Sequence, residues 1–196
     1  MTLRDALRQA TIAPGAPSSD YDLNAPAQRP DRPLREAGVL VAIVEVSVPR
    51  VILTKRSSAL KHHPGQISFP GGKVEETDAD VVAAALREAY EEIALTDVEL
   101  VGCLAPHETV TGFNVTPVLG LVQPGYRLTP DDREVAEVFD VPLGHLLAPE
   151  NYMIESRLWR GQARHFFTVP WGPYYIWGAT ARILRALADR MDYGHP

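Results

Sequence analysis

The ten residues AGVLVAIVEV (37–46) carry a single charged side chain, and it comes ninth. A run this apolar, rich in β-branched residues, reads as a strand covered on both faces. Such a strand needs a layer on each side, and helices supply those layers. PRVILTKR (49–56) follows after a short turn and reads as its hairpin partner. Further strands are expected near VELVGCLA (98–105) and NVTPVLGLV (114–122), and a late hairpin over RGQARHFFTVPW (160–171). The segment EVAEVFDVPL (134–143) is expected to pass from helical to extended at Pro142. Helices are expected over 2–11, 80–93 and 176–191. In the first, Thr2 and Asp5 form a capping pair while Leu3, Leu7 and Ala10 share a face. In the last, Ile176, Thr180, Ile183, Leu184, Leu187 and Met191 fall on one stripe. The fold class that follows is α+β, an α/β/α sandwich on a mixed β-sheet.

Five prolines between residues 13 and 33 impose an extended surface arm, which could pack on a partner subunit in a homodimer. The chain divides into a helix and proline-rich arm (1–36) and a main domain (37–192); its 196 residues suit one large domain. A formal charge of −6 argues against a broad nucleic-acid-binding face. No apolar run approaches the ~18 residues of a membrane helix, and Asp5 and Arg8 interrupt the region where a secretory leader would be apolar. The single cysteine, Cys103, points to a reduced, cytoplasmic setting. Against the acidic background, all three lysines, Lys55, Lys61 and Lys73, fall within 19 residues, beside Arg56, His62 and His63. That cluster is either a solvated loop or a site for an anionic ligand.

Directly after it comes FPGGKVEETDADVVAAALREAYEEIAL (69–95). On a helical wheel, Val82, Leu86, Ala89 and Ile93 form an apolar stripe, and Glu88, Glu91 and Glu92 form a second one about a third of a turn away. Like charges at this spacing destabilise a helix. Arg87 can pair with Glu91, but one cation does not neutralise three anions. A divalent metal supplies the missing charge most simply, since hard cations take carboxylate oxygens and share them with phosphates. The preceding Gly71-Gly72 allows the backbone to approach a ligand closely.

FPGG followed by REAYEEIAL resembles the Nudix box, Gly-x5-Glu-x7-Arg-Glu-x2-Glu-Glu-x-Gly, with Arg87, Glu88, Glu91 and Glu92 matching its core. The loop is one residue longer than usual, so that Asp78 or Asp80 replaces the loop carboxylate, and Ala94 stands where the box has glycine. Upstream, LTKRSSALKHHPGQISFPGG (53–72) resembles the motif of the coenzyme A pyrophosphatase branch: Leu53, Thr54, Arg56, Ser57, Gly65, Phe69, Pro70, Gly71 and Gly72 match, and Lys61 replaces an arginine. The resemblance implies a Nudix-type sandwich that splits coenzyme A into 3′,5′-ADP and 4′-phosphopantetheine with Mg²⁺ or Mn²⁺. It implies Glu88 and Glu92 as metal ligands, Glu91 shared between metal and water, and Arg87 orienting them. Arg56, Ser57, Lys61, Gly65, Phe69, Gly71 and Gly72 would meet the substrate. The general base stays open among Glu88, Glu91, Glu108 and Glu134, and an adenine-stacking ring among Phe113, Tyr126, Trp171 and Trp177. Two other functions compete: a Nudix pyrophosphatase for ADP-ribose or another nucleoside diphosphate derivative, and a non-catalytic ligand sensor.

Overall fold

The computed structural model describes residues 1–12, 15–24, 31–159 and 161–191. Helix α1 (Leu3–Ile12) starts where Thr2 and Asp5 bond each other, the Asp5 amide donating to the Thr2 hydroxyl at 3.1 Å. Strand β1 (Ser18–Ser19) follows, then β2 (Arg35–Val44) and β3 (Arg50–Arg56). Two short strands, β4 (Ile67–Ser68) and β5 (Gly71–Lys73), precede α2 (Val81–Ile93). Next come β6 (Val98–Cys103), β7 (His107–Glu108), β8 (Phe113–Val122) and β9 (Val135–Pro142). A short helix, α3 (Leu143–Leu147), leads to the hairpin β10 (Met153–Trp159) and β11 (Gln162–Thr168), and α4 (Ala179–Ala188) closes the described chain.

The sheet is built around β2 and β8, which run parallel from Arg35↔Phe113 to Val44↔Val122. Each of these long strands has a divided outer edge. The start of β2 pairs with β5 and its end with β3; the start of β8 pairs with β7 and its end with β6. Strand β3 continues outward to β9 and β4. Alternation along β2 fills both faces. Leu40, Ala42 and Val44 meet Ala85, Ala89 and Ile93 of α2 on one side. Val41 and Ile43 share the opposite core with Leu3 and Leu7 of α1 and with Ile183 and Leu184 of α4. The mixed sheet between helical layers is the expected sandwich.

Several local expectations need correction. Residues 134–143 take the reverse order, extended through Pro142 and helical after it. Pairing with β3 holds Val135 to Pro142 as a strand, and proline suits the start of a helix better than its interior. The late hairpin begins at Met153, earlier than expected. In α2 the buried face is Ala84, Ala85, Ala89 and Ile93, while Val82 and Leu86 are half-buried. Small residues lie where the helix comes nearest the sheet: a Cβ on Gly38 would stand 2.1 Å from the Val81 carbonyl oxygen. Within the described part of the proline-rich arm, β1 adds to β7 in parallel.

Candidate active site

The acidic helix meets the glycine turn at β5, where Gly71 and Gly72 pair with Val39 and Gly38 of β2. Helix α2 is fixed at its start by Asp80, whose Oδ1 accepts the Ala83 amide at 2.8 Å. Its three glutamates are not equivalent. Glu92 is buried (3 % exposed), Glu88 is half-buried and Glu91 is turned to solvent. The Gly71 amide donates to Glu92 Oε2 at 3.3 Å, and Arg56 Nη1 lies 3.7 Å from Glu92 Oε1. Glu88 stands over Gly72, whose missing Cβ would fall 2.3 Å from Glu88 Oε1.

Burial pushes the Glu92 carboxyl up to about 7; Glu88 and Glu134 push the same way, while Arg56 and the Gly71 amide oppose them. Glu88 is also raised, first by burial and then by Glu91 and Glu134, against the pull of Arg87. Glu134, at the entry to β9, thus acts on both inward carboxylates, and its carbonyl accepts the Ser57 amide at 2.8 Å. Glu108 lies in β7, where its carbonyl accepts the Asp20 amide.

Arg87 organises the rim. It grips Asp78 with two bonds of 2.9 Å and donates to Glu88 Oε1 at 3.1 Å, Glu91 Oε2 at 2.9 Å and the Lys73 carbonyl at 3.2 Å. Its charge is therefore spent on holding the carboxylate frame. Asp78, held below the usual carboxylate range by Arg87, is the carboxylate of the longer loop; Asp80 caps the helix.

Residues 57–66, which follow β3, form a loop hung from Arg56. The Arg56 amide donates to Gln66 O at 2.9 Å, and its carbonyl accepts the Gly65 amide at 3.1 Å. Gly65 takes φ 71°, which favours glycine. The register of β3 against β9 slips between Lys55 and Arg56, a bulge of the kind that re-aims a side chain, and Arg56 ends beside Glu92. Ser57 is buried with its hydroxyl accepting the Ala59 amide at 3.4 Å. Lys55 and Lys61 are exposed. Lys73 pairs with Glu75 at 3.3 Å.

Next to the glycine turn opens a cavity of about 550 Å³. Val39 and Phe69 form its inner wall, and a Cβ on Gly71 would sit 2.9 Å from Val39 Cγ1. Of the four candidate stacking rings, Trp177 lines this cavity. Phe113 carries the Arg35 guanidinium at 3.9 Å, Trp171 packs on His145, and Tyr126 lines a smaller pocket with Phe139 and Tyr174. The outer wall comes from residues that sequence reasoning did not single out: Ser19, Asp20 and Leu23 on one side, Arg157, Phe166 and Phe167 on the other. No local sequence signal marks these residues as lining a cavity, because the wall comes from segments far apart in the chain.

The inward donors are all oxygens, which suits a hard divalent cation. Among the described residues no three His, Cys, Asp or Glu side chains stand close enough to cage an ion by themselves. A cation here would take Glu88 and Glu92 and complete its shell with water and substrate oxygens. Both carboxyls are raised first by burial and then by neighbouring carboxylates.

A family model described as the NUDIX domain matches residues 35–159. The Uncharacterized Nudix hydrolase NudL of Enterobacter sp. (strain 638) is 44% identical over 156 residues, covering 79% of this chain and 81% of the relative. NudL of Escherichia coli (strain SMS-3-5 / SECEC) is 43% identical with the same coverage. The crystal structure of a MutT/nudix family protein from Enterococcus faecalis superposes with TM-score 0.51 at 15% identity, over 81% of this chain and 61% of that one, a likeness of fold.

Proposed function

This chain belongs to the Nudix hydrolase family, and from that premise we propose that it hydrolyses the pyrophosphate bond of coenzyme A and its derivatives, giving 3′,5′-ADP and 4′-phosphopantetheine, with Mg²⁺ or Mn²⁺. The observation that carries the reading is what becomes of residues 53–72. The stretch that resembles the coenzyme A pyrophosphatase motif is the one that brings Arg56 and the Gly71 amide to Glu92 and opens space for Glu88 at Gly72.

A cation held by Glu88 and Glu92 would neutralise pyrophosphate charge and acidify a water. The chain's own groups do the rest. Arg87 holds Glu88 and Glu91 in place through a guanidinium anchored on Asp78. Arg56, aimed inward by the bulge, presents a second positive charge beside the carboxylate pair. Lys55, exposed near the end of β3, and Lys61, exposed on the loop that follows, are available to the 3′-phosphate. Of the four candidate bases, Glu134 is the one whose charge reaches both inward glutamates from another element. Arg56 and a cation held by Glu88 and Glu92 would offset the pyrophosphate charge at this place, so that hydrolysis would fall between the two phosphates.

The test is a panel of coenzyme A, acyl-coenzyme A, ADP-ribose, NADH and nucleoside triphosphates, incubated with Mg²⁺ or Mn²⁺, with products identified by mass. Coenzyme A species should give the highest kcat/KM, and EDTA should abolish turnover. Glu88→Gln and Glu92→Gln should each lower kcat at least a hundredfold, about 2.7 kcal/mol. A tenfold preference for ADP-ribose or a triphosphate overturns the coenzyme A assignment; full activity in EDTA overturns the metal.

A further inference from the structure

The outer wall of the cavity is a separate strap, residues 18–24, lying outside the 35–159 match to the NUDIX model. It is latched at four places. His107, fully buried, bridges two of its side chains: Nδ1 is 2.9 Å from Ser18 Oγ and Nε2 is 3.2 Å from Asp20 Oδ1. Asp20 Oδ2 accepts the Val110 amide at 2.8 Å. Asn24 makes a two-way bond to the backbone of His165 in β11, at 3.1 and 2.8 Å. Asp22 takes Arg182 of α4 at 3.2 Å. A segment tied to β7, the following loop, β11 and α4 is a built wall, and Ser19, Asp20 and Leu23 face the cavity from it.

Resting on the hydrolase reading above, we propose that this strap, positioned by His107, forms the specificity wall of a pocket for the uncharged organic arm of the substrate, the group beyond the pyrophosphate. Position supports this: the inner wall, Phe69 and Val39, adjoins the Gly71 turn that touches Glu92, so the pocket continues from the place of cleavage. The lining supports it as well. It is mainly apolar, and its guanidiniums are held by the protein: Arg182 by Asp22, Arg164 by the Asp20 carbonyl and the Tyr21 ring, Arg157 by the rings of Phe166, Tyr175 and Trp177. An apolar pocket with a few fixed polar groups suits an amide-and-alkyl arm such as pantetheine.

The test compares two diphosphate diesters of one adenosine nucleotide, one carrying the full arm and one a methyl group. Leu23→Trp, at a half-buried position, narrows the pocket; Asn24→Ala unfastens the strap from β11. In each variant the ratio of kcat/KM, armed over methyl, should fall at least tenfold, with the loss in KM for the armed compound. If Leu23→Trp does not fold, Asn24→Ala decides alone. A ratio within twofold of wild type overturns the proposal. If wild type rejects coenzyme A but cuts ADP-ribose, the assignment above fails, and the same ratio, with ribose as the arm, still decides whether the strap sets specificity.

Discussion

Two adjacent glycines show how differently one residue type can be required. Gly71 takes φ 152°, and a Cβ there would lie 2.4 Å from the Gly38 carbonyl and 2.6 Å from Val39 Cα, both backbone atoms that cannot yield. Gly72 lies outside the left-handed region, and the nearest atoms its Cβ would meet are the end of the Glu88 side chain. Gly71→Ala should therefore cost about 2–4 kcal/mol of stability. Gly72→Ala should melt within about 3 °C of wild type yet lose at least tenfold in kcat, because Glu88 is displaced. Thermal melts alongside steady-state rates check both, and equal behaviour of the two variants refutes the distinction. The glycine pair was legible as a close approach; which neighbour each one approaches was not, since those neighbours come from β2 and α2. Glu92 gives a second expectation. Its folded pKa of about 7 exceeds the unfolded 4.5, so the folded state holds the proton more tightly. The corresponding stability is full below pH 4.5 and is lost as pH rises through 7, on the order of 3 kcal/mol. Without metal, wild type should lose Tm relative to Glu92→Gln between pH 5 and 8, and Mg²⁺ should close the gap. Parallel curves for the two proteins contradict this.

At the level of elements, α2 could be read almost to the residue because its main signal is local: a 3.6-residue period runs through it, and the Asp80 cap found in the structure fixes its start. Its resting face was misjudged because Gly38, in a distant strand, sets how close the helix lies. The order within 134–143 was misread for a similar reason. Pairing with β3, not local propensity, makes Val135 to Pro142 extended. The end of α2 carries a small strain: Ala94 adopts φ 53°, with its amide donating to Tyr90 O at 2.8 Å. Left-handed backbone costs a non-glycine residue about 1–2 kcal/mol, part of which glycine returns as chain entropy. Ala94→Gly should raise stability by roughly 0.5–1 kcal/mol, seen as a higher urea midpoint at unchanged slope. A lowered midpoint would show that the alanine methyl contributes packing that outweighs its strain.

For the whole molecule, the sandwich was legible because one doubly buried strand demands helices on both faces. The strap and the bulge at Arg56 were not, because they exist only as bonds between distant segments: Ser18 with His107, Asn24 with His165, Asp22 with Arg182. The parallel pairing of β2 with β8 has a consequence for biosynthesis. Paired residues such as Glu36 and Asn114 are 78 positions apart. At about 5–20 residues per second, a ribosome needs roughly 4–16 s to make the partner after finishing the first strand. Until then the VLVAIV run of β2 has one flank open, an adhesive edge in a nascent chain. Within that interval β3 and then β5 are made and pair with the other edge of β2, and α2 covers one face. The flank that awaits β8 is therefore the edge of the strand left open to mispairing until residue 122 has been made.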